Sequence, residues 1–169
     1  LMASVDRLPE AAKRTLQMAS VIGRDFSRRL LDRLSDAGER TDSLLGQLKA
    51  VELIYEKSVL PELSYTFKHA LTHEVTYGSL LIQRRKELHG KIGLAIEELY
   101  GDRLTEQYEV LAYHFERSEA WQKALEYLLK ASAPVLSQTT DIALHLATYV
   151  ELLFRNSTLH NGSSINVHL

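Results

Sequence analysis

Residues 65–77 read YTFKHALTHEVTY, which sets His69 and His73 four apart, puts Glu74 directly after the second histidine, and closes both ends with aromatics. If a helix starts near residue 69, the two imidazoles lie one turn apart on one face, the geometry that can hold a metal. The same spacing suits a catalytic pair, a piece of core, or a sensor of something outside the chain. Spacing alone leaves all four open. The zinc-protease pattern is His-Glu-x-x-His, whereas this chain has His-x-x-x-His-Glu, so Glu74 is misplaced for a general base. A third ligand is not visible nearby, and no metal residue is assigned.

Other candidate chemistry is sparse. RRKELHGK (84–91) is a basic cluster on a predicted long helix. Such runs are usually a solvated face rather than a phosphate or partner site. The sequence carries no G-x-x-x-x-G-K-[ST] phosphate loop, no G-x-S-x-G elbow and no paired-carboxylate motif with context. Zero cysteines exclude disulfides, thiolate zinc sites and cysteine nucleophiles. The expectation is a chain with no catalytic residue of its own.

Helical spacing and turn signals outline the elements that must position these residues. Leu8-Pro9-Glu10 opens a helix through Ala12, Leu16, Ala19 and Ile22, with Gly23 as its stop. Ser27 caps a short second helix bearing Leu30, Leu31 and Leu34; residues 35–42 form a loop. Asp42 or Ser43 caps a third helix through Leu44, Leu45 and Leu48. Residues 53–55 and 65–67, rich in β-branched and aromatic types, predict two strands of a hairpin around residues 57–63. Three short helices and a hairpin are the order of a winged-helix unit. From Ala70 a helical pattern runs to about Tyr100, with Gly90 and Gly93 as weak points and Gly101 as its end.

A second region follows. Tyr108, Leu111, Ala112 and Phe115 on one helix, then Ala124, Leu128 and Ala131 on the next, match the spacing of a tetratricopeptide-like hairpin, with Trp121 closing the turn. Those aromatics are expected to pack rather than to form a ligand box. LAYHFE (111–116) is echoed by LATYVE (146–151), so one repeat and part of another are present. The predicted division is residues 5–101, a winged-helix-like domain with a long terminal helix; 102–155, the start of a repeat array; and 156–169, an irregular tail. The fold class is mainly α with one small β-hairpin.

The chain has 169 residues, 45% hydrophobic and 25% charged, the ordinary balance of a globular protein. Its formal net charge of -2 gives no global attraction to nucleic acid or anionic membrane. The third helix, which reads DNA in winged-helix proteins, offers one lysine among acids and aliphatics, so no DNA partner is expected. No apolar run approaches the roughly 18 residues a membrane span needs, and the cytosol is the default compartment. A start at Leu1 without an initiator context predicts a fragment of something longer.

Four segments together, RLPEAAKRTLQMASVIGRDF (7–26), residues 53–81, RRKELHGKIGLAIEELYGD (84–102) and LAYHFERSEAWQKALEYLLKA (111–131), resemble the region after the ATPase core in bacterial signal-transduction ATPases. These STAND-type, AAA-like multidomain proteins are often fused to a class III adenylate/guanylate cyclase or protein kinase domain. The resemblance spans roughly residues 5–132, and Phe67-Lys68-His69-Ala70-Leu71 is its most distinctive block. It implies a winged helix and repeats behind an ATPase domain that binds ATP or ADP with Mg. In related switch ATPases a histidine matching His69 reaches the β-phosphate of ADP and holds the resting state closed. A ring N–H would donate to that phosphate, more strongly when protonated. The implied partners are the upstream ATPase domain in cis and a signalling protein at the repeats, with His73 and Glu74 packing or pairing locally. Two other readings stand beside it: a DNA-binding winged-helix regulator, and a pure protein–protein scaffold in which His69 is core.

Overall fold

The computed structural model describes Val5, residues 7–35, 40–58 and 62–136, and Val150, with side chains described as far as residue 132 and at Val150. Seven α-helices, one 3-10 helix and one small sheet make up the described residues. The chain is mainly helical. In order these are α1 (Glu10–Ile22), β1 (Asp25–Ser27), α2 (Arg28–Leu34), α3 (Thr41–Ala50), β2 (Ile54–Ser58), β3 (Ser64–Phe67), α4 (Ala70–Gly78) and α5 (Ile82–Leu99). The 3-10 helix Gly101–Gln107 then leads into α6 (Tyr108–Arg117) and α7 (Trp121–Leu136).

The first elements form as their spacing predicts. Pro9 precedes α1 and accepts from Lys13 N at 2.9 Å, Glu10 faces the positive first turn, and Ala12, Leu16 and Ala19 are fully buried. Gly23, at φ 155, ends the helix in a conformation that a side chain would strain. The Ser27 hydroxyl accepts from Leu30 N at 3.0 Å and so caps α2. The third helix differs from expectation. It begins at Thr41 after Arg40, without a side-chain cap, and Asp42 sits inside its first turn, where a carboxylate still meets the helix dipole favourably.

The sheet holds one strand more than the expected hairpin. It is antiparallel with order β1-β3-β2, pairing Phe26 with Tyr65 and Ile54 with Phe67. β1 is three residues long with a single apolar side chain, so nothing in its own pattern marks it. Its pairing with β3 makes it a strand, and Phe26 drops into the core beside Tyr65 and Phe67, with ring centroids 5.7 and 5.8 Å away. These rings, Ile54, Leu53, the inner faces of α1 and α3, and Leu31 of α2 form the first core.

The long helix predicted from Ala70 is broken in two. Helix α4 ends at Gly78, and α5 starts only after the extended residue Leu81. The Arg85 side chain fixes the corner, donating to Leu80 O at 2.9 Å and Gly78 O at 3.2 Å. Beyond it lies a second core, in which Leu88, Ile92, Ala95 and Ile96 of α5 meet Leu111, Ala112 and Phe115 of α6, and Ala124 and Tyr127 of α7. It thus draws on residues either side of 101. Ala112 and Ala124 are buried and Ala131 half-buried, so the small residues lie in the pair as expected. Gly93 is no weak point: a Cβ there would sit 2.8 Å from the Phe115 ring, so the missing side chain is what lets α6 approach α5. The echo at 146–151, apart from Val150, and the tail 156–169 lie outside the described residues.

Candidate functional site

His69 stands where β3 passes into α4, and its backbone is fixed on both sides. Just before it, Phe67 N donates to Arg24 O at 3.0 Å and Lys68 N to Leu53 O at 2.9 Å. On the far side, its own carbonyl accepts from Thr72 N at 3.0 Å and His73 N at 3.3 Å. The residue adopts extended φ −126, ψ 134, and the imidazole makes no capping bond. The side chain is exposed and, among the described residues, has no hydrogen-bond partner. The main chain is thus fixed while the ring keeps its hydrogen-bonding nitrogens free to donate to a group outside the described residues.

The residues flanking His69 are sorted by strand alternation and helix phase. Phe67 is fully buried and anchors the strand end in the first core. Lys68 points outward, and its ammonium meets Glu52 at 2.6 Å. Glu52 follows α3 at φ 58, in the left-handed region, with Leu53 N returning to Leu48 O at 3.1 Å. Glycine is the usual residue at this helix-end position. Here a glutamate occupies it, and its carboxylate reaches Lys68. The Lys68 ammonium holds that carboxyl below its usual range, and the His69 ring acts more weakly in the same direction. Lys68, Glu52, Ile54, Tyr55, Glu56 and Lys49 line an open basin of about 420 Å³ beside the strand end.

His73 does not share a ligand sphere with His69. Its Nε2 lies 2.9 Å from Ser20 O of α1, and its ring packs edge-on against Phe67 at 5.1 Å. It ties α4 to α1, while Glu74 is exposed. No group of three histidine or carboxylate side chains that could hold a metal occurs among the described residues. The basic cluster divides similarly. Arg84 meets Glu87 at 3.2 Å, Lys86 meets Glu119 at 2.5 Å, and Arg85 stacks 4.8 Å over the Tyr77 ring.

On α3 the exposed positions are Asp42, Ser43, Gly46, Gln47, Lys49 and Ala50. Lys49 is engaged by Glu56, and Asp42 by Arg28. That face carries no concentration of positive charge.

Sequence reading missed His89 and His114. His89 was one residue of a basic run and His114 one of a repeat-like motif, yet both are 1% exposed. Helical phase was the available signal: His89 shares the stripe of Leu88, Ile92 and Ile96, and His114 lies between Leu111 and Phe115. Their Nδ1 atoms are 2.9 Å apart, and His89 Nε2 is 3.1 Å from Tyr77 Oη.

No family model, curated protein or solved structure matches the chain. No helix among the described residues is long and apolar enough to cross a membrane.

Proposed function

We propose that this chain is a regulatory segment of a multidomain signal-transduction ATPase, linked to a cyclase or kinase output. In this reading a winged-helix unit and the start of a tetratricopeptide-like array couple the nucleotide state of another domain to that output. His69 is the sensor, donating from its ring to a phosphate of ADP held by the ATPase domain. The observation that carries the reading is the exposed imidazole, which has no hydrogen-bond partner among the described residues, on a backbone fixed from both sides. A scaffold in which His69 is core would need that ring buried. A DNA reader would need free cations on α3, and the lysine there is already paired.

The test is to add ADP to this chain alone, then to the chain joined to its nucleotide domain, while following the His69 ring resonances. Alone, binding should be negligible. One charge-assisted hydrogen bond contributes about 1.5–3 kcal/mol, whereas micromolar affinity requires about 8 kcal/mol. Joined, the ring resonances should shift strongly. Micromolar ADP binding by the chain alone, or an unmoved His69 in the joined protein, would contradict the reading.

A further inference from the structure

We propose that Tyr77, His89 and His114 form a proton-gated joint between the N-terminal unit and the α6–α7 pair, closed when the imidazoles are neutral and opened when both are protonated. The geometry fixes the logic. A bond between two Nδ1 atoms 2.9 Å apart needs one to carry a proton and the other a lone pair. With both rings neutral, two arrangements satisfy this. Tyr77 O–H donates to His89 Nε2 while His89 Nδ1–H donates to His114, or the whole chain of donors reverses. One added proton is tolerated, because a single imidazolium still donates to its neutral neighbour. A second leaves two donors and two like charges facing each other inside the protein, and the contact turns repulsive.

The joint spans three helices. Tyr77 belongs to α4, the helix that begins after His69; His89 to α5; and His114 to α6. Ring contacts continue back to the sheet, from Tyr77 to His73 at 6.5 Å and from His73 to Phe67 at 5.1 Å. Breaking the imidazole contact therefore loosens α6 from elements rooted in the first core. The surrounding charges resist protonation. Arg85 of α5 lies over Tyr77, and Arg117 of α6 over Tyr113, whose ring packs edge-on against both histidines. Burial first, then these guanidiniums, push His89 down to about 4, and burial with the His89 charge pushes His114 down to about 3.

Several other charged groups on the neighbouring elements are paired with one another rather than with the imidazoles. Lys86 of α5 meets Glu119 after α6, Arg33 of α2 meets Glu98 near the far end of α5, and Lys123 of α7 meets Glu97. From α1, uncharged Gln17 bonds to Ser79.

The sign of the pH effect follows from these shifts. Once the joint is open, the rings titrate near the ordinary imidazole value of about 6.5. Closure is thus complete above that pH and is lost progressively as the pH falls toward 4 and 3. Each proton taken up on opening contributes about a tenfold change per pH unit, so two give up to about a hundredfold.

The experiment is hydrogen exchange on the full chain from pH 7.5 to 4, corrected for intrinsic rates, on wild type and His89→Leu/His114→Leu. Replacing both members of a buried polar pair by apolar groups of similar shape is close to neutral for stability. In wild type, protection of α6 amides should fall at least tenfold per pH unit below about 6, while α1 and β3 hold. In the double variant that steep dependence should vanish. Equal pH profiles in the two proteins, or wild-type α6 opening only with the whole fold, would overturn the joint. Ring NMR on wild type keeps the test decisive if the variant does not fold. Both histidines neutral at pH 5.5, and titrating together with loss of α5–α6 contacts, support the joint. Either ring titrating near 6.5 with those contacts intact refutes it.

Discussion

Phe67→Ala should lower the unfolding free energy by about 3–5 kcal/mol, the range for emptying a fully buried aromatic site. Phe67 has no exposed surface, packs edge-on against Phe26 and His73, and pairs with Ile54 across the sheet. Little nearby can collapse into the space, because its neighbours belong to strands and to a helix already fixed by hydrogen bonds. Urea unfolding read by circular dichroism checks the size. The same variant should also broaden the resonances of His69, two residues along, since Phe67 is what seats the strand end. An effect below about 1 kcal/mol, or an unchanged His69 environment, would show that the strand end is held by its backbone bonds alone.

The second large effect belongs to the other core. Gly93→Ala should cost about 1–3 kcal/mol, as overpacking does in a filled site, even though alanine ordinarily improves a helix interior. The added methyl would fall 2.8 Å from two atoms of the Phe115 ring. That ring is 2% exposed and stacked on Tyr127 at 5.7 Å with an 11° interplanar angle, so it has nowhere to retreat. Tyr127 in turn donates to Glu97 at 2.5 Å. Its phenol is pushed up by burial and by that carboxylate, and it stays protonated across the working pH range. Gly90→Ala is the internal control: a Cβ there meets only the Ser118 side chain, 3.5 Å from its Cβ and 3.8 Å from its Oγ, both ordinary contacts. A thermal melt should separate the two, with Gly93→Ala clearly lower and Gly90→Ala unchanged or higher. Equal melting temperatures would mean that the approach of α5 and α6 is not set by Gly93.

The parts legible in the sequence are those whose signals are local. Helix α1 follows from Pro9, Glu10 and a stripe of apolar residues, α2 from the Ser27 cap, and the α6–α7 hairpin from aromatic and alanine spacing. Strand β1 was not legible, because Asp25-Phe26-Ser27 becomes a strand only through a partner some forty residues away. The break at Ser79–Leu81 was missed because the apolar pattern carries through it, while the corner depends on Arg85 reaching two carbonyls. For the site, sequence singled out His69 and His73 as a pair. Packing separated them, one to solvent and one to Ser20, because strand end and helix face project in different directions. The Tyr77–His89–His114 contact needs α4, α5 and α6 in place at once, and no single segment encodes it.

In the proposed reading His69 senses a phosphate without holding the fold together. Its exposed ring makes truncation cheap for stability, so His69→Ala should unfold at the same urea concentration as wild type. In the protein joined to the proposed nucleotide domain, the same change should speed ADP release about 10- to 100-fold, the equivalent of one lost charge-assisted hydrogen bond. The deciding measurement is the dissociation rate of labelled ADP from that joined protein, wild type against His69→Ala. Faster release with an unchanged unfolding midpoint is the predicted result; unchanged release together with a marked loss of stability would contradict the sensor and make His69 a structural residue.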